Sequence, residues 1–121
     1  MTDAIKSIRP FVGSQDFDLS RSFYRAFGFT EITIDGKMSY FHRAGFGFYL
    51  QNYYAKEWVD NTMVFLEVED AAARLIEIQQ LDLPGRFPGV RLSAMVQNDW
   101  GQEFFLHDPA GVLWHIGEFN N

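Results

Sequence analysis

Length, composition and charge limit the classes of protein to which this chain can belong. Its 121 residues suit one domain with a core of its own, and the absence of cysteine excludes disulfides and thiolate chemistry. A net charge of −6 and a pI of about 4.9 argue against a nucleic-acid partner, because phosphate contacts require clustered Lys and Arg. We also expect no leader and no membrane span, since no apolar run approaches ~20 residues, and therefore a soluble, cytoplasmic protein.

The first half of the chain predicts the element order β-α-β-β-β. A short strand at 8–14 precedes a helix at 19–27, whose apolar residues recur at helical spacing. Strands at 29–34 and 37–43 flank an Asp-Gly pair, which is a strong hairpin signal, and another strand follows at 46–51. The residues that punctuate these elements are Pro10, Asp16, Gly28, Asp35, Gly36, Ala44 and Gly45.

The second half predicts the same order after a linker at 52–61. Asp70 supplies the N-cap of a helix, and a loop rich in Pro and Gly follows at 84–89. The predicted elements are a strand at 62–68, a helix at 71–81, and strands at 90–97, 102–107 and 112–119.

The repeated order indicates one α+β domain, residues 1–121, built from two βαβββ modules at about 6–52 and 61–119. Each module alone would leave one face of a four-stranded sheet uncovered, whereas two modules can enclose a cavity. Aromatic residues make up 17% of the chain, which fits either a densely packed core or a stacking site for a flat ligand.

The run WGQEFFLHDPAGVLWHI, residues 100–116, resembles the vicinal oxygen chelate superfamily of glyoxalases, extradiol dioxygenases and bleomycin resistance proteins. The stretches SFY at 22–24 and FGF at 27–29 carry the same resemblance, and DNTM at 60–63 is most similar to the bleomycin resistance branch. The resemblance implies curved mixed sheets, a homodimer and a small-molecule cavity.

The resemblance also implies four positions at which the enzymes of this superfamily hold a divalent metal. They fall at Arg9, near Tyr49, at Thr62 or Met63, and at His115. Only His115 could donate to a metal in the usual way, because Arg has no lone pair to give. We therefore expect no metal, no cofactor and no catalytic constellation, and regard the chain as less suited to catalysis than to binding.

The last two predicted strands suggest which residues line the cavity. If they pair about the turn at 108–111, Phe104 lies opposite His115 and shares its face with Leu113. Phe105 and Trp114 would then pack under the helices, although a register one residue different would exchange the two sets. For His115 we prefer a cavity-lining, hydrogen-bonding role over an inert histidine, and either of these over a metal ligand.

Other candidates come from the first module and from the start of the last hairpin. Trp100 either stacks on a planar ligand or anchors a loop, and Arg9 would be a costly charge inside a cavity without a partner. The predicted ligand-binding residues are Trp100, His115, Tyr49, Phe104, Phe41, Arg9 and Leu113.

These observations predict a metal-free protein that binds an aromatic or cationic small molecule and acts by antibiotic sequestration without turnover. One alternative is a metal-dependent lyase or dioxygenase with atypical ligands. Another is a protein–protein interaction module that uses the same scaffold.

Overall fold

Two mixed β-sheets organise residues 4–121, the part of the chain that the computed structural model describes. None of the helices in this range is long and apolar enough to cross a membrane. The elements in chain order are β1 (Phe11–Gly13), α1 (Phe17–Phe27), β2 (Thr30–Asp35), β3 (Met38–Arg43), β4 (Phe46–Gln51), α2 (Lys56–Asp60), β5 (Met63–Glu67), α3 (Ala71–Leu81), α4 (Leu83–Arg86), β6 (Arg91–Leu92), β7 (Val96–Asn98), β8 (Gly101–His107) and β9 (Leu113–Phe119).

The two sheets have closely related topologies. The first sheet has the order β1-β4-β3-β2, with β1 parallel to β4 and the other pairs antiparallel. The second sheet has the order β5-β9-β8-β6, with β5 parallel to β9 and β7 also paired with β8. The predicted α+β class with two curved mixed sheets is confirmed.

Helix α1 forms where the capping pattern predicts it. The Asp16 carboxylate accepts a hydrogen bond from the Leu19 N–H at 3.1 Å, which satisfies one of the free donors of the first turn. Gly28 ends the helix in the left-handed conformation, at a φ of 116°, which costs little for a residue without a Cβ.

Three segments differ from the expected elements. The predicted linker contains the short helix α2, and the loop at 84–89 begins inside α4, whose first turn accommodates Pro84. The strand expected at 90–97 is split into β6 and β7. The ladder is interrupted at Ser93, whose hydroxyl accepts the Phe105 N–H at 2.8 Å in place of a backbone carbonyl.

The helix-facing sides of both sheets share one aromatic core. The rings of Phe48 in the first sheet and Trp114 in the second lie 5.5 Å apart, and Tyr24 of α1 packs against both. The other sides of the two sheets, called here the open faces, point away from this core.

A buried polar network links the two halves through the same core. The Tyr24 hydroxyl donates to Asp108 Oδ2 at 2.6 Å and accepts from Trp114 Nε1 at 3.0 Å. Asp108 Oδ1 accepts three backbone N–H groups from residues 110–112, each at 2.9 Å. Burial raises the pKa of Asp108, and the hydrogen bonds to its carboxylate oppose that rise.

Candidate functional site

The pairing of β8 with β9 decides which residues face outward, and it differs from the expected register by one residue. Phe105 lies opposite His115, and Phe104 lies opposite Ile116. The connection holds three residues between the paired Asp108 and Val112, and Gly111 in it adopts a φ of 110°. A three-residue loop of this kind shifts the ladder by one position relative to a four-residue turn.

The shift places Phe104 and Phe105 on the opposite sides from those expected. Phe104 has no exposed surface and belongs to the core, so its predicted place in the cavity is wrong. Phe41 is also fully buried, stacked on Phe48 and in contact with Tyr24, so its predicted cavity position is wrong as well. Trp114 lies in the core as expected.

The second sheet's open face carries a histidine held by a carboxylate. His115 Nδ1 lies 2.9 Å from Glu103 Oε1, and Glu103 Oε2 accepts a hydrogen bond from Asn98 Nδ2 at 2.9 Å. Glu103 is only 8% exposed, whereas His115 is half-buried. Within residues 4–121, Nε2 of His115 has no hydrogen-bond partner, and it is not among the buried unpaired atoms, so it is accessible from outside.

A flat aromatic surface adjoins this pair. The Phe65 ring lies nearly parallel to the His115 imidazole, with 6.1 Å between centroids, and the Phe105 ring meets it edge-on at 5.1 Å. Phe65 lies across Gly117, where an added Cβ would come within 2.7 Å of the ring. Trp100 and Phe119 extend the surface, with their rings 5.0 Å apart.

The first sheet's open face has a comparable aromatic surface with a different charge. Tyr40 lies across Gly47, where an added Cβ would sit within 2.6 Å of the ring carbons. The Arg9 guanidinium is centred 4.0 Å from the Tyr40 ring and donates to the Tyr49 hydroxyl at 2.9 Å. Arg9 is exposed, and these contacts give its charge the partners that an inward-pointing arginine would need.

The sequence-predicted residues are therefore divided between the two open faces and the core. Arg9 and Tyr49 lie on the first open face, and His115 and Leu113 lie on the second. Trp100 borders the second face through its contact with Phe65. The ligand-binding roles of these five residues remain predictions.

The far end of the second open face forms a cavity of about 370 Å³. Arg91 and His107 are cross-strand partners there, beside Phe105 and Leu113. Burial lowers the pKa of His107, and the neighbouring Arg91 charge lowers it further. The lowered pKa favours neutral His107, so Arg91 supplies the positive charge at this end of the face.

A larger cavity, of about 620 Å³, lies on the helix side between the two halves. The residues that line it include Phe27, Arg43, Phe46, Glu69 and Ile78. It is separate from both open faces.

The residues at the four positions where the resemblance predicts a metal do not fit a divalent cation. Arg9 and Tyr49 lie on the open face of one sheet. Of the alternatives Thr62 and Met63, Met63 lies with His115 on the open face of the other sheet, whereas the Thr62 hydroxyl donates to the Trp58 carbonyl. An arginine and a thioether are unsuited to a hard cation, and His115 is left as the one ordinary donor of the four. Residues 4–121 contain no group of three or more His, Asp or Glu side chains placed to hold a metal ion.

Sequence reasoning missed Glu103 and Phe65. Phe65 lies two residues after Met63 on β5, and residues two apart in a strand point to the same face. This spacing could have placed Phe65 on the open face once the position of Met63 was known. Glu103 is the single acidic residue of β8, and its position opposite Gly117, two pairs along from His115, became visible only with the register.

The fold resembles that of solved bleomycin-binding and glyoxalase-type proteins. A bleomycin-binding protein from Streptomyces verticillus, solved with copper(II)-bleomycin, aligns with a TM-score of 0.80 and 21% identity, covering 99% of this chain and 100% of that one. An antibiotic-binding protein from Streptomyces sp. CB03234 aligns with a TM-score of 0.74 and 18% identity, covering 98% and 100%. A lactoylglutathione lyase from Agrobacterium tumefaciens aligns with a TM-score of 0.69 and 17% identity, covering 96% of each chain.

The predicted vicinal oxygen chelate fold is confirmed by this likeness, and the two antibiotic-binding structures align with higher TM-scores than the lyase does. No model of a protein family matches the sequence, and neither does a curated protein.

Proposed function

We propose that this protein is a metal-free, cytoplasmic homodimer that sequesters a flat aromatic small molecule of the bleomycin type. The binding crevice lies between the first open face of one copy and the second open face of the other. The observation that carries the proposal is the matched pair of aromatic surfaces, with Tyr40 across Gly47 on one face and Phe65 across Gly117 on the other. Two such surfaces can stack on both sides of a planar group.

The exposure of these faces supports a dimer. Phe11 on the first face is 47% exposed, and Met63 and Phe65 on the second are 64% and 43% exposed. Contiguous apolar surfaces rarely remain open to water in monomers, because burying them against a partner is favourable. The charges are complementary, with Arg9 on one face and Glu103 on the other.

Sequestration fits the chemistry of the four positions that hold the metal in enzymes of this fold. The side chains at these positions are the cation of Arg9, the stacking ring of Tyr49, the thioether of Met63 and the imidazole of His115. These groups are suited to binding a small molecule. The antibiotic-binding proteins of similar structure support the same ligand class.

Calorimetric titration with metal-free and copper-loaded bleomycin tests the proposal. We expect saturable binding at one ligand per chain with micromolar or lower Kd. Replacing Trp100 with Ala should weaken binding by about 1–3 kcal/mol, on the scale of aromatic contacts. Phe46→Ala is the matched control, because it removes an exposed aromatic ring that lines the larger cavity and leaves both open faces intact.

Thermal unfolding of both variants shows whether they remain folded. Equal affinity of wild type and Trp100→Ala would remove Trp100 from the site, and failure of both forms of bleomycin to bind would reject the bleomycin class of ligand. A stoichiometric divalent metal in protein purified without an affinity tag would instead favour a metal-dependent lyase or dioxygenase.

Sedimentation velocity tests the shared crevice directly. The wild type should sediment as a dimer, and Met63→Arg should sediment as a monomer, because a charge would be buried at the centre of the interface. A wild-type protein that remains monomeric while it binds ligand would contradict the shared crevice.

A further inference from the structure

We propose that the His115–Glu103 pair determines the specificity of this crevice and selects aromatic ligands that carry a cationic N–H donor, such as an amidinium or a protonated amine. The inference rests on the proposed function and identifies the chemical class of the ligand.

The hydrogen-bonding pattern defines the tautomer of His115. An ionised Glu103 can only accept hydrogen bonds, so the contact of 2.9 Å to Oε1 places the proton of a neutral imidazole on Nδ1. Nε2 then presents a lone pair to the open face, where it is accessible. A ligand that donates an N–H to Nε2 completes a chain of hydrogen bonds ending at Glu103.

The charge of the pair favours a cationic donor over a neutral one. Glu103 is nearly buried, and its hydrogen-bond partners within residues 4–121, Asn98 and His115, include no permanently charged cation. Because Glu103 is largely shielded from water, its negative charge is weakly screened. It therefore attracts a cation bound to the imidazole and repels an anion.

The surrounding rings strengthen this preference. Phe65 stacks on the imidazole and Phe105 meets its edge, so a group bound to Nε2 lies beside aromatic rings that attract cations. Arg91, a cationic residue of the same sheet, pairs with His107, and the lowered pKa of that histidine favours its neutral form. His107 lies two positions along β8 from Phe105, the cross-strand partner of His115.

Three planar probes of nearly equal shape test the inference. Benzamidine carries a cationic N–H donor, benzamide is its neutral counterpart, and benzoate is the anion. Amide chemical shifts of labelled protein give both the Kd and the location of each probe. We expect benzamidine to shift amides of β8 and β9 and to bind about tenfold more tightly than benzamide, the scale of one hydrogen bond to a charged group.

Two variants and one control assign the preference to the pair. Glu103→Gln keeps the size of the side chain and removes its charge, so the benzamidine-to-benzamide ratio should fall to near one. His115→Phe keeps a ring and removes the Nε2 acceptor, with the same expected loss. Glu69→Gln makes the matched charge change at the larger cavity and should leave the ratio unchanged.

Several results would overturn the inference. They are equal binding of benzamidine and benzamide to the wild type, an unchanged ratio in Glu103→Gln, a preference for benzoate, or benzamidine shifts that are absent from β8 and β9. If bleomycin still binds with any of these results, only the specificity of the pair is rejected. If bleomycin also fails to bind, the proposed function fails with it.

Discussion

Two carboxylates within five residues of one another, Glu103 on β8 and Asp108 just after it, occupy contrasting environments. Both are nearly buried, and both accept more than one hydrogen bond. Asp108 is enclosed by the core and bonds to Tyr24 from the other half of the chain. Glu103 instead bonds to His115, whose second nitrogen is accessible from the open face.

The difference distinguishes a structural network from a binding one. The hydrogen-bond partners of Asp108 within residues 4–121 all lie inside the protein, so this network holds the two halves together and leaves no free position for a ligand. The Glu103 network ends in an acceptor that water or a ligand must satisfy. Replacing Asp108 should therefore affect stability, and replacing Glu103 should affect binding.

The largest expected effect is that of Asp108→Ala. It leaves the Tyr24 hydroxyl and three backbone N–H groups without their acceptor, so we expect a loss of about 3 kcal/mol or more in the free energy of unfolding. Urea denaturation measures it. A loss below about 1 kcal/mol would show that water replaces the carboxylate at little cost.

Removing one hydroxyl from the same network should have a smaller effect. Tyr24→Phe leaves Asp108 Oδ2 and Trp114 Nε1 without their shared partner, and we expect a loss of about 1–3 kcal/mol. Tyr40→Phe removes a hydroxyl from the open face and should change stability by less than about 0.5 kcal/mol. Similar losses in the two variants, measured by urea denaturation, would contradict the contrast between core and open face.

Glu31 offers a pH-dependent test on the helix side of the first sheet. Burial acts to raise the pKa of Glu31, but hydrogen bonds from Arg21, Ser39 and Arg25 outweigh it and lower that pKa below its usual value. A lowered pKa in the folded state stabilises the protein above the unfolded-state pKa of about 4.3, and this stabilisation is lost as the pH falls through the folded-state pKa.

Glu31→Gln should therefore cost about 1 kcal/mol near pH 7, the scale of a partly exposed charged hydrogen bond. The difference between wild type and Glu31→Gln should shrink toward pH 3 in unfolding curves measured across this range. Asp108 is present in both proteins, so its contribution to the pH dependence cancels when the two free energies of unfolding are subtracted. A difference that is constant from pH 7 to pH 3 would rule out the ionic role.

Among the substitutions of hydrogen-bonded carboxylates, Glu103→Gln should have the smallest effect on stability. The amide oxygen can still accept from His115 Nδ1, so we expect a loss of less than about 1 kcal/mol by urea denaturation. The same variant should lose the preference for benzamidine. A large loss of stability would place Glu103 in the same structural class as Asp108.

The fold could be predicted from the sequence because its signals are local. The caps at Asp16 and Gly28 define α1, and alternating apolar residues define the long strands. The prediction of the site, in contrast, depended on the register between β8 and β9, which differs by one residue from the expected register. The loop around Gly111 closes with three residues, and that choice moved Phe105 to the open face and Phe104 into the core.

Partners from separate strands could not be predicted in the same way. The Glu103–His115 contact spans twelve positions, and the stacking of Arg9 on Tyr40 spans thirty-one. Neither pair has a local spacing that marks it, because each forms only when the strands are placed side by side. The ring surfaces over Gly47 and Gly117 also arise from cross-strand packing.

The most direct test of the account is a map of amide chemical shifts as bleomycin is added to labelled wild-type protein. Binding in the shared crevice predicts saturating shifts on both open faces, around Tyr49 on β4 and His115 on β9, at one ligand per chain. The absence of saturating shifts, or shifts confined to the larger cavity around Ile78, would contradict it.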